Sequence, residues 1–185
     1  MCTDDTGRGF SRRRFIAHSA AAIAALVSPA AFARYTQSGY RRLGFRHLHT
    51  GESLTVTYWE NGRYLPDALG EINYLLRDHR SDDVHPIAPG LLDTLTALQT
   101  SMEFNAPYEV ISGFRSRATN EKLRRMGRAV ARRSMHLEGK AVDVRVAGQN
   151  LQQMRATAMA LQAGGVGYYS RSGFIHLDVG RVRSW

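Results

Sequence analysis

The chain has 185 residues, and 25 lysines and arginines against 16 aspartates and glutamates give it a formal net charge of +9. That length suits one domain with a real core and is too short to expect two, while the charge points to anionic surroundings: an acidic polymer, nucleic acid or anionic lipid. Cys2 is the only cysteine, which excludes an internal disulfide and a thiolate-built metal site.

Residues 1–33 read as an export signal. Ser11-Arg12-Arg13-Arg14-Phe15-Ile16 has the twin-arginine pattern, an alanine-rich weakly apolar run follows to Val27, and Ala31-Phe32-Ala33 offers the small residues that a signal peptidase reads. Cleavage before Arg34 and delivery to the periplasm are expected. An uncleaved membrane anchor is the other reading, but the run falls short of the ~20 residues that span a bilayer. Residues 34–42 are expected to be a polar arm, and residues 43–185 the folded domain.

Leu54 to Trp59 is rich in β-branched and aromatic residues and predicts a strand, turned by Glu60-Asn61-Gly62. Pro66 opens a helix whose apolar face is Leu69, Ile72, Leu75 and Leu76, reaching about Arg77. Ser81 to Pro89 reads as loop. Leu91, Leu92, Leu95 and Leu98 mark a second amphipathic helix, ending before Asn105. Tyr108 to Ile111 is a short strand running into Ser112-Gly113-Phe114-Arg115-Ser116. Glu121 to Met126 reads as helix, and Gly127 to Arg133 as an exposed basic loop. Ala141 to Val146 alternates as a strand, Asn150 caps a helix from Leu151 to Ala163, and Val166 to Tyr169 pairs with Phe174 to Val179 in a hairpin. Strands and helices mix without βαβ repetition, so the expected class is α+β, one domain, with a mainly antiparallel sheet and flanking helices.

Two short stretches carry the chemistry. In Ser134 to Asp143, a loop histidine, His136, leads through Gly139 into a strand on which Asp143 faces away from Val142, Val144 and Val146. In Phe174 to Asp178, His176 and Asp178 share one face and Ile175 and Leu177 the other. Two imidazoles and a carboxylate with a fourth position open to water form the donor set of a catalytic zinc site. His136, Asp143 and His176 are read as that set.

Ser134, His136, Gly139, Ala141 and Asp143 form a Ser-x-His-x-x-Gly-x-Ala-x-Asp pattern that resembles the zinc motif of the D-alanyl-D-alanine peptidase, lysostaphin and hedgehog-like superfamily. Ser112 to Ser116 is similar to that superfamily's Ser-Gly-(Tyr/Phe)-Arg-(Ser/Thr) element, and His176 falls where the third ligand lies. Together with His49 to Ser53, Gly164 to Tyr169 and the terminal Trp185, the stretch from about Leu43 to Trp185 resembles the twin-arginine-exported murein endopeptidases. The resemblance implies a zinc metallopeptidase that hydrolyses peptide bonds of peptidoglycan, with Arg115 stabilising the tetrahedral intermediate or holding a substrate carboxylate. Ser134 either hydrogen-bonds within the metal shell or caps a turn.

Relatives often carry a glutamate or histidine base just before the third ligand, where this chain has Gly173 and Phe174. Asp178 is nominated instead, as general base or as a partner behind the metal ligands. The alternatives are that Asp178 binds metal itself or that Glu138 is the base. A non-catalytic zinc-containing domain that binds cell-wall peptide or a protein is the second functional reading. Nucleic-acid binding rests on charge alone and conflicts with the export signal. The expected partners are peptidoglycan peptides, with no nucleic acid and no stable membrane insertion once the signal is removed.

Overall fold

The computed structural model describes residues 39–128 and 130–185. The expected export signal at 1–33 and the first part of the expected arm, 34–38, lie outside the described residues.

Eight strands form one sheet: β1 (Tyr40–His47), β2 (Ser53–Glu60), β3 (Arg63–Tyr64), β4 (Tyr108–Ser112), β5 (Ala141–Val146), β6 (Gly165–Tyr169), β7 (Phe174–Asp178) and β8 (Arg183–Ser184). Their order is β3-β2-β1-β4-β5-β7-β6-β8. The pairs β1·β4 and β6·β8 run parallel and the others antiparallel. Among the described residues four α-helices complete the fold: α1 (Pro66–Leu75), α2 (Pro89–Met102), α3 (Arg117–Arg125) and α4 (Leu151–Ala160). The molecule is therefore α+β, as the mixture of periods implied. Among the described residues no helix is long and apolar enough to cross a membrane.

The core lies between one sheet face and helices α1, α2 and α4. Leu43 and Phe45 of β1, Val110 of β4, Val142 and Val144 of β5, and Ile175 and Leu177 of β7 are buried against Ile72, Leu91, Leu92, Leu95, Leu98 and Met154. Fully burying each such side chain contributes roughly 1.5–3 kcal/mol. The period of two that commits the valines of β5 to this core obliges Asp143 to the opposite face.

Three boundaries differ from expectation. Tyr40, Arg41 and Arg42 belong to β1 and not to a polar arm. Their polar side chains hid a pairing that the backbone supplies, with Tyr40 opposite Glu60 and Arg42 opposite Thr57 on β2. Arg41 is further held by Asp93 at 2.6 Å and lies over the Trp59 ring. Helix α3 starts at Arg117, four residues before Glu121, because the Ser116 side chain accepts a hydrogen bond from the Thr119 N–H and caps it. Helix α4 ends at Ala160, and Gln162 then takes a left-handed conformation that halts it. Asn150 caps α4 as its residue type predicts.

Candidate metal centre

Strand register lines up the site. Ser112 of β4, Asp143 of β5, His176 of β7 and Gly167 of β6 stand opposite one another in a single row across four strands. The next row holds Ala141 of β5, Asp178 of β7, Gly165 of β6 and Arg183 of β8. Both rows face away from the valine and leucine core. The sequence elements Ser112–Ser116, Ala141–Asp143 and His176–Asp178 thus meet although long stretches of chain separate them.

His136 joins from a 3-10 turn, Met135–Glu138, that leads through Gly139 towards β5. Two hydrogen bonds clamp this turn to the loop after β4. The His136 Nδ1–H donates to the Gly113 carbonyl at 2.7 Å, and the Arg115 N–H donates to the His136 carbonyl at 3.1 Å. A carbonyl can only accept, so the hydrogen sits on Nδ1 and Nε2 presents a lone pair. His176 is set the other way round. Its Nε2 lies 3.0 Å from Asp178 Oδ2, which leaves Nδ1 as the inward atom.

His136 Nε2, His176 Nδ1 and Asp143 Oδ1 consequently converge, separated by 3.2, 2.9 and 3.3 Å. All three residues are buried. A tetrahedral ion with bonds of ~2.0–2.1 Å needs ligand atoms ~3.3–3.4 Å apart. Two nitrogens and one carboxylate oxygen at nearly that spacing fit a divalent ion, and these three residues could hold one. Electrostatics agrees. Burial disfavours the Asp143 carboxylate, but His136 and His176 outweigh it and hold its pKa well below the usual carboxylate range. Burial likewise disfavours a charged His176, yet Asp143 and Asp178 raise its pKa. The centre is built to attract positive charge.

Asp178 sits behind this trio with every bond engaged. Arg183 binds it in bidentate fashion at 3.0 and 2.7 Å, the N–H groups of Gly165 and Gly180 donate to Oδ1, and His176 takes Oδ2. Its pKa is depressed despite burial, through His176 and then Arg183. Gly165 is required here, since a Cβ at that position would lie 2.5 Å from Asp178 Oδ2. The carboxylate is therefore an anchor for the His176 ring. Glu138, the other acid singled out by sequence, is exposed and pairs with Lys140 at 2.7 Å.

Arg115 is buried beside the trio, and its side-chain hydrogen bonds among the described residues are long ones, to Asn120 and Ser112 at 3.4 Å each. Its Nε has no hydrogen-bond partner among the described residues. Burial lowers the guanidinium pKa, partly countered by Asp143. A buried, weakly engaged cation has hydrogen-bonding capacity left for something else. The loop that carries it is fixed from behind by Asp78, which accepts from the Ser116 and Arg80 N–H groups at 3.0 Å. Ser134 precedes the 3-10 turn, and its side chain makes no capping bond.

A cleft of about 250 Å³ opens over the trio, bounded by Arg115, Arg133, Ser134, Tyr169, Phe174 and Trp185 together with the trio itself. A larger hollow of about 670 Å³ lies elsewhere, between β1 and the C-terminal end of α2, and no histidine lines it. The fold brings His136, Asp143, His176, Asp178 and Arg115, all singled out from the sequence, to one place. Arg183, Tyr169 and Trp185, which had no role assigned from the sequence, join them there. The available signal was the alternation Gly165, Gly167, Tyr169 on β6: two residues without side chains leave room over that strand. A Cβ on Gly167 would come within 2.8 Å of the Trp185 indole.

Residues 35–185 match the Peptidase_M15_2 family, described as peptidoglycan L,D-endopeptidase MepK. The peptidoglycan L,D-endopeptidase MepK of Escherichia coli (strain K12) is 39% identical over 176 residues, which cover 95% of this chain and 97% of that protein. A probable peptidoglycan L,D-endopeptidase MepK from Haemophilus influenzae is 43% identical over 146 residues, 78% of each chain.

Proposed function

This chain belongs to the Peptidase_M15_2 family, and on that premise we propose that it is an exported zinc metallopeptidase cleaving L,D peptide bonds in peptidoglycan cross-links. The observation that carries the reading is the convergence of His136 Nε2, His176 Nδ1 and Asp143 Oδ1 at the floor of an open cleft. M15 peptidases are metallopeptidases, and the nitrogen and oxygen donors here suit zinc. The L,D preference follows the names of the relatives. Export by the twin-arginine route rests on Ser11 to Ile16, with residues 1–33 as signal and the remaining chain as the exported protein.

When bound, the zinc supplies a water of lowered pKa and polarises the scissile carbonyl. The protein's part is positional. Asp178 and Arg183 fix the His176 ring, and the Gly113 carbonyl fixes that of His136. Arg115 donates to the carbonyl oxygen as negative charge grows there, or holds a substrate carboxylate. Asp178 serves as the partner behind His176; its bonds are too fully committed for it to act as the base. Stem peptides bear free carboxylates, and the exposed arginines of α3 and the following loop supply a field that attracts them.

The test is digestion of purified sacculi, one batch rich in L,D cross-links and one in D,D cross-links. The zinc-loaded protein should release cross-link fragments from the first, and chelation should stop it. Intact L,D cross-links after prolonged incubation would leave a zinc-containing domain that only binds wall peptide.

A further inference from the structure

We propose that Tyr169 is a second hydrogen-bond donor to the reacting carbonyl, its phenol O–H acting across the cleft from Arg115. The inference rests on the peptidase reading above and names a residue that reading does not use.

Tyr169 ends β6, two residues beyond Gly167, and its side chain lines the cleft over the trio. Its ring is stacked on Phe174 at 4.7 Å between centroids, so the phenol is held in one orientation. The Trp185 indole Nε1–H donates to the Tyr169 oxygen at 3.0 Å. An indole N–H can only donate, and a phenol O–H lies close to its ring plane, which offers two positions beside the oxygen. The indole takes one, so the phenolic hydrogen is directed to the other.

Trp185 is itself fixed. Its backbone N–H donates to the Val166 carbonyl, its carbonyl accepts from the Tyr168 N–H, and its ring lies over Gly167 and 5.3 Å from His176. The indole therefore orients the phenol from the same side that walls the metal centre. Tyr169 and Arg115 both line the cleft over the trio. A carbonyl placed over the trio would thus meet a buried cation and an oriented neutral donor. Two donors aimed where charge develops form an oxyanion site, and their value lies in being oriented before reaction. No proton changes hands in this role: the O–H shares its hydrogen with the oxyanion and keeps it.

Tyr169→Phe removes the hydroxyl and preserves the ring stack. In the zinc-loaded mature protein acting on a purified L,D cross-linked muropeptide, kcat should fall about 100-fold, with KM and bound zinc unchanged. Trp185→Phe removes the orienting indole N–H and should lower kcat several-fold in the same pattern. Wild-type kcat in Tyr169→Phe would overturn the proposal. A loss traced to missing zinc or a lowered melting temperature would also overturn it, by assigning Tyr169 a structural role. Wild-type protein inert on the muropeptide would instead strike the peptidase reading beneath it.

Discussion

His136 and His176 stand beside Asp143 and Asp178, whereas His47, His49 and His79 stand beside one another. In the second group His79 stacks on His49 at 4.3 Å and meets His47 edge-on at 5.3 Å. The nearby acid, Glu52, is engaged by Arg77 at 2.8 Å and by Thr50. Burial, and after it the neighbouring His49, lower the His47 pKa to about 4; burial and then Arg80 do the same to His79. Carboxylates have the opposite effect on His176. His47 and His79 are thus held neutral by their surroundings, while two imidazoles with acids beside and behind them attract a cation. Partners decide the chemistry, and the number of imidazoles does not.

The broadest way to break that contrast is to delete one imidazole from each group. His136→Ala should bind no zinc in equilibrium dialysis and cleave no cross-links, because it removes one of the three proposed ligand atoms. His79→Ala should bind zinc as the wild type does and cleave within about twofold of it. Zinc retained by the first variant, or lost by the second, would dissolve the distinction.

Among the ligands' supports, Arg183 is the sharper probe. It holds Asp178 through two hydrogen bonds, and Asp178 fixes which nitrogen His176 turns inward. Losing such a partner typically costs 10–100-fold in metal affinity. Arg183→Met should weaken zinc binding by about that factor in competition with a chromophoric chelator, and Arg183→Lys should recover part of it. Unchanged affinity would mean that His176 needs no support from behind.

How much of this was legible in the sequence depends on how locally each feature is encoded. Asp143 and His176 could be read because alternation on β5 and β7 leaves a polar residue facing away from a valine or leucine core, and His136 because it stands in the Ser-x-His-x-x-Gly-x-Ala-x-Asp pattern on the turn before β5. Helix α1 could be read because Pro66 stands at its first turn. Strand β1 could not: Arg41 and Arg42 look like solvent-facing coil until β2 pairs with that segment, and β4 pairs only farther along, at Phe45 to His47. Arg183 and Trp185 were hidden for a related reason. Strand β8 has two residues and no periodicity, and its position follows from parallel pairing with β6 across the gap that Gly165 and Gly167 leave. The first row of the site was written in the sequence; its outer wall was written in the register.

The smallest expected effect concerns the second histidine group, and it appears as pH-dependent stability. The His47 Nδ1 accepts from the N–H groups of His49 and Thr50 at 3.2 and 3.4 Å, so protonating that atom breaks both contacts. In the unfolded chain the same imidazole titrates near 6.5, against about 4 in the fold. Between those values the unfolded state holds more protons, so stability is complete above pH 6.5 and declines as pH falls towards 4. From this group alone, denaturant midpoints at pH 7.5 and 5.0 should differ by the equivalent of about 1–2 kcal/mol. His47→Asn keeps an acceptor near the Nδ1 position and removes the titration. Subtracting its pH profile from that of the wild type cancels the acid response of the metal centre and leaves the His47 contribution. A difference of zero between the profiles would show that His47 is solvated well enough to charge freely, and the two histidine groups would then differ less than their partners imply.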